Sequence, residues 1–229
     1  MSGRVDAVLF DLDGTLAATM EPWDRCWSDY AARHGHNWSD GDRRRTHGHG
    51  DWDRYLARVC GVEPADRVVT DCVDLMVGQV RSGRIALLPG AEALLATAVS
   101  SAMAGVVSAS PRRFVHATLD HFGLDRFLRV VVAREDQPAT KPHPDPWLHA
   151  AALLGVDPQY CVAVEDSAAG IRSAHAAGMR VLAIPSWSPA LHPVEVELAD
   201  HLATDAVHAD RWLRATLTAA GSTPMPAGM

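Results

Sequence analysis

Five short apolar segments constrain the fold of this chain more than any other feature of its sequence. They lie at residues 5–10, 104–107, 130–133, 161–164 and 181–184, and none of them alternates apolar with polar residues. Such runs are typical of strands buried on both faces, as in a parallel sheet. Amphipathic helical patterns at 91–100, 112–122, 146–154 and 168–177 separate the later runs. The sequence therefore predicts an α/β fold with a doubly wound parallel sheet and helices on both faces.

One long stretch interrupts this alternation of strands and helices. Residues 17–87 contain no strong buried-strand run, and instead show helical patterns at 22–34, 51–60 and 65–80 that are rich in Trp, Arg and Asp. The stretch ends at Leu88-Pro89-Gly90, where the next helical pattern begins. We therefore expect an α/β core made of residues 1–16 and 88–229, with a small all-helical cap domain, residues 17–87, inserted after the first strand.

Charge and composition exclude several classes of protein. The chain has 229 residues, of which 28 are acidic and 21 basic, so that its net charge is -7. A protein that binds the nucleic-acid backbone needs a concentrated basic face, which this balance disfavours. No apolar run approaches the ~20 residues of a membrane span, and the segment MSGRVDAVLFD reaches acidic residues too early for a signal-peptide core. The four cysteines lie far apart without a C-x-x-C pair. We expect a cytoplasmic protein that binds neither nucleic acid nor membranes.

The basic residues are distributed in an unusual way. Twenty are arginines and one is a lysine, Lys141, which lies in the segment Thr140-Lys141-Pro142. Where a chain otherwise uses arginine throughout, a lysine indicates a position that needs a compact ammonium rather than a planar guanidinium. The alternative is that one lysine persists at this position by chance.

Polar residues follow each of the first four apolar runs. They are Asp11 and Asp13, then Ser108-Ala109-Ser110-Pro111, then Lys141, and finally Glu165-Asp166-Ser167. Because parallel strands direct their carboxyl ends to one edge of the sheet, we expect these residues to form a single site. Two pairs of acids repel unless a cation lies among them, and oxygen ligands suit Mg²⁺.

Each segment taken alone has a structural alternative. The first aspartates are compatible with helix capping near a Gly turn, and Ser110 fits a simple N-cap. Residues 165–167 are compatible with a solvated helix start. Hydroxyls and N–H groups at a helix N-terminus also suit a bound anion, which leaves residues 108–110 open to both interpretations.

Together, in this order, the four segments resemble the signature motifs of the haloacid dehalogenase superfamily over residues 5–185. The similarity is to its phosphatase and phosphomutase branch, of the β-phosphoglucomutase type, in which a helical cap follows the first motif. The resemblance implies a Rossmann-like core, a cap that opens and closes, and Mg²⁺ as cofactor. It also implies roles for individual residues.

In that family pattern Asp11 is the nucleophile that forms an aspartyl-phosphate, and Asp13 is the general acid and base. Mg²⁺ is held by the Asp11 carboxylate, the Asp13 carbonyl and Asp166, with Glu165 as a further or water-mediated ligand. The phosphoryl oxygens are held by Ser108 and the N–H of Ala109, while Lys141 neutralises the nucleophile and the developing charge. These roles are what the resemblance implies.

The resemblance also narrows the reaction. Dehalogenase members lack the second aspartate, whereas Asp13 is present, and phosphonate-cleaving members use a cap lysine, which residues 17–87 do not contain. The expected function is therefore Mg²⁺-dependent hydrolysis of a small phosphate monoester, such as a sugar phosphate, by a phosphatase. A non-catalytic module that binds a phosphorylated metabolite is an alternative of a different class. We expect a monomer or a weak homodimer.

A sugar phosphomutase is the closer alternative, because it keeps all four motifs. Mutases of this type hold a distal phosphate with a cap arginine, whereas the corresponding stretch here is His47-Gly48-His49-Gly50-Asp51, with an acid at that position. An acid would repel a second phosphate, which favours hydrolysis. A shifted alignment would bring Arg44 or Arg45 into that role. The cap residues expected to contact the substrate are His47, His49 and Arg45.

Overall fold

A single parallel sheet forms the centre of the molecule. The computed structural model describes residues 4–47, 50–185 and 191–221. Its strands within these ranges are β1 (Ala7–Phe10), β2 (Met103–Val107), β3 (Val130–Val132), β4 (Cys161–Glu165), β5 (Arg180–Ala183) and β6 (His201–Leu202). All neighbouring strands are parallel, and their order is β3-β2-β1-β4-β5-β6. The prediction of a Rossmann-like α/β fold is confirmed.

Ten α-helices connect or follow these strands in the described ranges. They are α1 (Met20–Arg33), α2 (Asp40–Thr46), α3 (Trp52–Cys60), α4 (Ala65–Arg81), α5 (Ala91–Ser101), α6 (Arg112–His121), α7 (Asp145–Leu154), α8 (Ala168–Ala176), α9 (Pro193–Leu198) and α10 (Ala206–Gly221). None of the helices described is both long and apolar enough to cross a membrane. The four cysteines are free thiols.

The helices cover both faces of the sheet. Side chains alternate along β1, so that Val8 packs in the same apolar cluster as Phe114 of α6, whereas Leu9 packs in a second cluster with Trp147 of α7 and Ile171 of α8. All five of these side chains are fully buried. The strands are therefore apolar on both sides, which explains the absence of polar alternation in the sequence.

Helices α1 to α4 lie between β1 and β2 in the chain, and their entry and exit run side by side. The Ala18 N–H donates to the Ala86 carbonyl, and the Leu88 N–H donates to the Leu16 carbonyl, both at 2.9 Å. These bonds join the two connecting segments at residues 16–18 and 86–88. The division of the chain into a core domain and a cap domain stays a prediction.

The structure contains several elements that the sequence did not predict: α2, β6, α9 and α10. Helix α2 has no apolar periodicity, and its start is fixed by a capping box in which the Asp42 N–H donates to Ser39 Oγ and the Ser39 N–H donates to Asp42 Oδ2. Strand β6 has two residues, too few to show a pattern. Helices α9 and α10 follow the last predicted strand.

Candidate active site

A cavity of about 480 Å³, part of it open to solvent, lies between the carboxyl edge of the sheet and helices α1 to α3. Its floor comes from residues that follow β1, β2, β3 and β4. Its lining residues are Asp11, Asp13, Met20, Trp23, Trp27, Thr46, Trp52, Ala109, Ser110, Lys141, Asp166 and Ser167. Polar residues that follow four separate strands therefore lie around one cavity.

Lys141 is buried at the floor, where its ammonium has three acceptors. Nζ donates to Asp11 Oδ1 at 2.6 Å, to Glu165 Oε1 at 2.5 Å and to the Val107 carbonyl at 2.9 Å. The ring of Trp147 lies 4.7 Å from Nζ. An ammonium has three donors that point in different directions, whereas a guanidinium is planar. This geometry gives a physical reason for the single lysine in the chain.

Glu165 is fully buried and accepts hydrogen bonds on both oxygens. Oε1 accepts from Lys141, while Oε2 accepts at 3.0 Å from the N–H groups of Asp166 and Ser167 and from the Ser167 hydroxyl. A Cβ placed on Gly170 would lie 1.7 Å from Glu165 Oε1. Glycine at this position in α8 therefore leaves the space that the Glu165 carboxylate occupies.

The charges on the floor are unbalanced toward the negative. Burial raises the pKa of the Asp11 carboxyl above its ordinary value, a rise opposed by Lys141 and reinforced by Glu165 and Asp13. For Lys141, burial alone would lower the pKa, but Asp11 and Glu165 raise it. Further positive charge at this place would keep Asp11 ionised.

The carboxylates offer a place for that charge. Ligand atoms of Asp11, Glu165 and Asp166 all lie within 4.8 Å of one another, and the three residues are buried. Carboxylate oxygens are the ligands preferred by Mg²⁺. Because Glu165 already accepts from protein donors on both oxygens, Asp11 and Asp166 fit the role of direct ligands better. The donor set is compatible with a hard divalent cation.

Asp13 has a different environment from Asp11. Its Oδ1 accepts from the Thr19 hydroxyl at 2.7 Å and from Trp23 Nε1 at 3.1 Å, and its Oδ2 accepts from the hydroxyls of Ser110 at 2.7 Å and Ser108 at 3.2 Å. Two of these donors belong to the start of α1 and two follow β2. The Asp13 carboxylate is thus held from both sides of the cavity.

The contact with Ser110 corrects one interpretation. The sequence left residues 108–110 open to an N-cap or an anion site, with Ser110 as the better cap candidate; the residue at the N-cap position of α6 is Pro111, without a side-chain cap. The Arg112 N–H instead donates to Glu135 Oε2 at 2.8 Å. The Ser110 hydroxyl donates to Asp13 and not to the start of α6.

The upper wall of the cavity, which we call the ceiling, is formed by Met20, Trp23, Trp27, Thr46 and Trp52. The three indoles contact one another, with ring centroids 5.4 to 5.5 Å apart. Trp23 also meets Phe114 of α6 edge-on at 5.0 Å. The ceiling is thus aromatic, and α6 packs against it.

The cap residues expected to contact substrate lie mostly elsewhere. Arg45 pairs with Asp51, and His47 packs edge-on against Trp27 with Nε2 at 3.5 Å from Asp24. Neither is among the described lining residues. His49 lies outside the described residues. Of the predicted phosphate ligands, Ala109 lines the cavity and Ser108 contacts Asp13.

Sequence reasoning missed several residues of the site. Thr19 and Trp23 contact Asp13, yet nothing in their spacing distinguishes them from other cap residues. Gly170 carried a usable signal, because a glycine within a helix raises the question of a close approach. Ser110 stands within the segment quoted for the anion site, but a hydroxyl beside a helix start indicates a cap more readily than a carboxylate contact.

The fold and the site together define an α/β enzyme with an acidic, lysine-containing active site at the carboxyl edge of its sheet. The chain belongs to the haloacid dehalogenase-like hydrolases, whose family model matches residues 5–178. The predicted superfamily and the prediction of an enzyme of the phosphatase class are thereby confirmed.

Individual relatives agree with this assignment. The chain is 33% identical over 197 residues to the protein CbbY of Rhodobacter capsulatus, a match that covers 80% of this chain and 86% of the relative. It is 34% identical over 191 residues to hexitol phosphatase B of Escherichia coli K12, covering 80% and 85% of the two chains. A solved structure of CbbY from Rhodobacter sphaeroides, a variant in complex with xylulose-(1,5)bisphosphate, has a TM-score of 0.76 at 27% identity. That likeness covers 88% of this chain and 95% of the other.

Proposed function

We propose that this protein hydrolyses a small phosphate monoester of a sugar or polyol, with Mg²⁺, through an aspartyl-phosphate on Asp11. The observation that carries the proposal is the pair of aspartates at the floor of one cavity. Asp11 lies beside the buried ammonium of Lys141, whereas Asp13 lies among four hydroxyl and N–H donors. Two carboxyls in environments this different suit two different tasks.

In the first step the Asp11 carboxylate attacks phosphorus. A bond forms between a carboxylate oxygen and phosphorus, the bond from phosphorus to the ester oxygen breaks, and Asp13 gives a proton to the departing alcohol. In the second step Asp13 takes a proton from a water molecule, which attacks phosphorus and releases inorganic phosphate. Asp11 is restored. Two displacements of this kind replace one difficult step.

The neighbouring groups offset the charge that develops. Lys141 is fixed by three acceptors, so its ammonium is already oriented beside Asp11 before the substrate arrives. The Ala109 N–H would hold a phosphoryl oxygen, and the Ser108 hydroxyl would hold another by turning from Asp13 Oδ2, to which it donates at 3.2 Å.

Asp11 and Asp166, with the Asp13 carbonyl, would hold Mg²⁺ directly. When bound, the ion offsets the repulsion between the anionic nucleophile and the phosphate. Glu165 would not bind the ion directly, because both of its oxygens already accept hydrogen bonds from protein donors. Its contact with Lys141 orients the ammonium toward Asp11.

The relatives and the cavity support hydrolysis of sugar-type esters. Two relatives are named hexitol phosphatases, and another is named fructose-1-phosphate phosphatase. A mutase transfers the phosphoryl group from the aspartate to a hydroxyl of a sugar monophosphate, which gives a bisphosphate and calls for a cation that holds the second phosphate. Lys141 is the only cation among the described lining residues. We further propose that residues 17–87 act as the cap. The cytoplasmic location and the monomer or weak dimer stay predictions.

Phosphate release from a panel of monoesters with Mg²⁺ tests the proposal, with the Asp11→Asn variant as the critical comparison. We expect turnover to fall by a factor on the order of 10⁴ in the variant, because the nucleophile is lost. The melting temperature should stay close to that of the wild type. Appreciable residual turnover would contradict the assignment of Asp11. Conversion of glucose 1-phosphate to glucose 6-phosphate, without phosphate release, would favour the mutase.

A further inference from the structure

Trp147 lies against the ammonium of Lys141, next to the floor of the cavity. It belongs to α7, its side chain is fully buried, and it is not one of the described lining residues. Nζ of Lys141 lies over the Trp147 ring, 4.7 Å from the ring centroid. At this distance an ammonium is attracted to the negative face of an indole, most strongly where water is excluded. The ring is therefore an electrostatic partner of the ammonium as well as a packing neighbour.

The ring contact does not compete with the hydrogen bonds of Lys141. The ammonium has three N–H donors, and they go to Asp11, Glu165 and the Val107 carbonyl. The face of a ring attracts the positive charge as a whole and needs no N–H directed at an acceptor atom. A further carboxylate beside Lys141 would add to the negative excess of the floor, whereas a neutral ring does not. Trp147 thus stabilises the ammonium without drawing a donor away from Asp11.

The indole N–H of Trp147 indicates that packing alone does not account for this residue. Its Nε1 is buried and has no hydrogen-bond partner among the described residues. The ring packs in an apolar cluster with Leu9 of β1 and Ile171 of α8. A phenylalanine or a leucine would fill such a place without leaving a buried donor unpaired. What tryptophan offers over these residues is the strongest aromatic face for a cation, which here is Lys141.

We propose that Trp147 is a positioning residue for Lys141, and that the face of its indole holds the ammonium oriented toward Asp11. Trp147 lies outside the described cavity lining, so it acts through Lys141 and not on the substrate. The proposal rests on the proposed function, in which Lys141 offsets the charge that develops at Asp11 and on the phosphoryl group. The negative potential of the ring face, rather than the volume of the ring, then influences the rate.

The sharpest test changes the electron density of the ring and leaves its shape almost unchanged. Tryptophan with one, two or three fluorine atoms on its six-membered ring is introduced at position 147 alone by nonsense suppression. Each fluorine withdraws electron density and weakens the attraction for a cation. We expect kcat for phosphate release to fall stepwise, to about one-tenth with three fluorines, while KM changes by less than about 2-fold. A kcat that stays constant across the series would overturn the proposal.

The matched control is the same fluorinated series at position 212. Trp212 lies on α10 and stacks on the ring of His201 at a centroid distance of 5.2 Å. It is not among the described residues that line the cavity. The value of kcat should not depend on fluorination at this position. An equal fall at positions 147 and 212 would mean that fluorination disturbs the protein in general, and would contradict the proposal.

A pair of ordinary substitutions separates the ring face from the space that it fills. Trp147→Phe keeps a smaller aromatic face, whereas Trp147→Met fills a similar volume without one. Both variants leave space in the core, so both should lose stability to a similar extent. At a temperature where both are folded, we expect the Phe variant to have a kcat about 5-fold higher than the Met variant. Equal values would show that Trp147 only fills space, and the fluorinated series decides the question if either variant fails to fold.

A measurement without substrate distinguishes the failure of this proposal from the failure of the proposed function. Lys141 is the only lysine in the chain, so labelling with ¹³C-lysine gives one set of signals in nuclear magnetic resonance. Protons held over an indole face resonate upfield, and we expect this of the Lys141 Hε signals, with a return toward the position of free lysine in Trp147→Met. Such signals without phosphate release from any ester would refute the hydrolase and leave the orienting role of Trp147 standing. Normal phosphate release with unshifted signals would refute the orienting role alone.

Discussion

The floor and the ceiling of the active-site cavity are built in opposite ways. The floor residues follow strands whose positions are fixed by their neighbours, as Phe10 is paired with Val106 on one side and with Val164 on the other. The ceiling residues come from helices, where each side chain is placed by packing on the next indole. The floor is charged and the ceiling is aromatic and neutral.

This difference separates the chemistry of phosphate transfer, at the floor, from the choice of alcohol, which we assign to the ceiling. Strand register brings Asp11 within 2.6 Å of Lys141 although 130 residues separate them in the chain. The chemistry of phosphate transfer therefore depends on topology. Under the proposed function, the preference for one alcohol over another would depend on the ceiling, whose residues can change while the sheet stays the same.

Among changes that keep the charge of the floor, we expect Lys141→Arg to have the largest effect on activity. The ammonium has three acceptors and lies at a buried site with 3% of the residue exposed, where a larger planar group cannot reproduce the contacts. We expect kcat to fall about 100-fold or more, the size seen when a single charge-stabilising donor is lost. Steady-state phosphate release measures it.

The control for this swap is the reverse exchange at the surface, Arg214→Lys. Arg214 is exposed and pairs with Asp210 on α10, a contact of little energetic weight. Its kcat should match that of the wild type. A near-normal rate for Lys141→Arg would show instead that the single lysine has no special role.

A second change tests the support beneath the floor. In Gly170→Ala the new Cβ would lie 1.7 Å from Glu165 Oε1, so the Glu165 carboxylate must move and Lys141 loses an acceptor. We expect a loss of about 1–3 kcal/mol in the free energy of unfolding, typical of overpacking, with a lower kcat. Urea denaturation and phosphate release measure the two effects.

Gly78→Ala is the matched glycine exchange in α4. Gly78 lies inside α4, and a Cβ there meets nothing within 4 Å. Because alanine favours the helix, this variant should be more stable than the wild type by about 0.5–1 kcal/mol. If both exchanges were stabilising, the close approach at Gly170 would not be a constraint.

The sequence predicted the floor better than the ceiling, for a physical reason. Buried parallel strands leave a clear apolar pattern; Asp11 follows such a run directly, Asp166 lies two residues after another, and Lys141 lies eight residues after a third. Their convergence then needs only the rule that parallel strands share a carboxyl edge. Family resemblance supplied their roles, which the spacing alone does not.

The ceiling left no comparable signal. Trp23, Trp27 and Trp52 are all consistent with the packed interior of a helical domain, and which of them also lines a cavity depends on crossing angles between helices. The contacts of Arg45 and His47 depend on the same angles, so the expectation that they face the substrate had no geometric support. Helix α2 was missed because its sequence, DGDRRRT, has no apolar face.

The smallest expected effect concerns the support of the ceiling. Asp42 of α2 is buried and accepts hydrogen bonds from Ser39, from the Tyr55 hydroxyl of α3 and from His36. Burial by itself would raise the pKa of the Asp42 carboxyl, but these hydrogen bonds hold it below its ordinary value. Asp42 thus joins two helices of the ceiling while the floor stays untouched.

Asp42→Asn should therefore lower the free energy of unfolding by about 1 kcal/mol at pH 7, with little change in kcat. A carboxyl whose pKa is lowered on folding contributes stability above its unfolded pKa of about 3.9, and loses that contribution as the pH falls toward the folded value. The difference between variant and wild type should therefore shrink below pH 4 in urea denaturation. Asp71→Asn, on the exposed side of α4, should change stability by less than about 0.5 kcal/mol. An equal difference in unfolding free energy at pH 7 and pH 3 would contradict this prediction. It would mean that the stabilising hydrogen bonds of Asp42 do not need its ionised form.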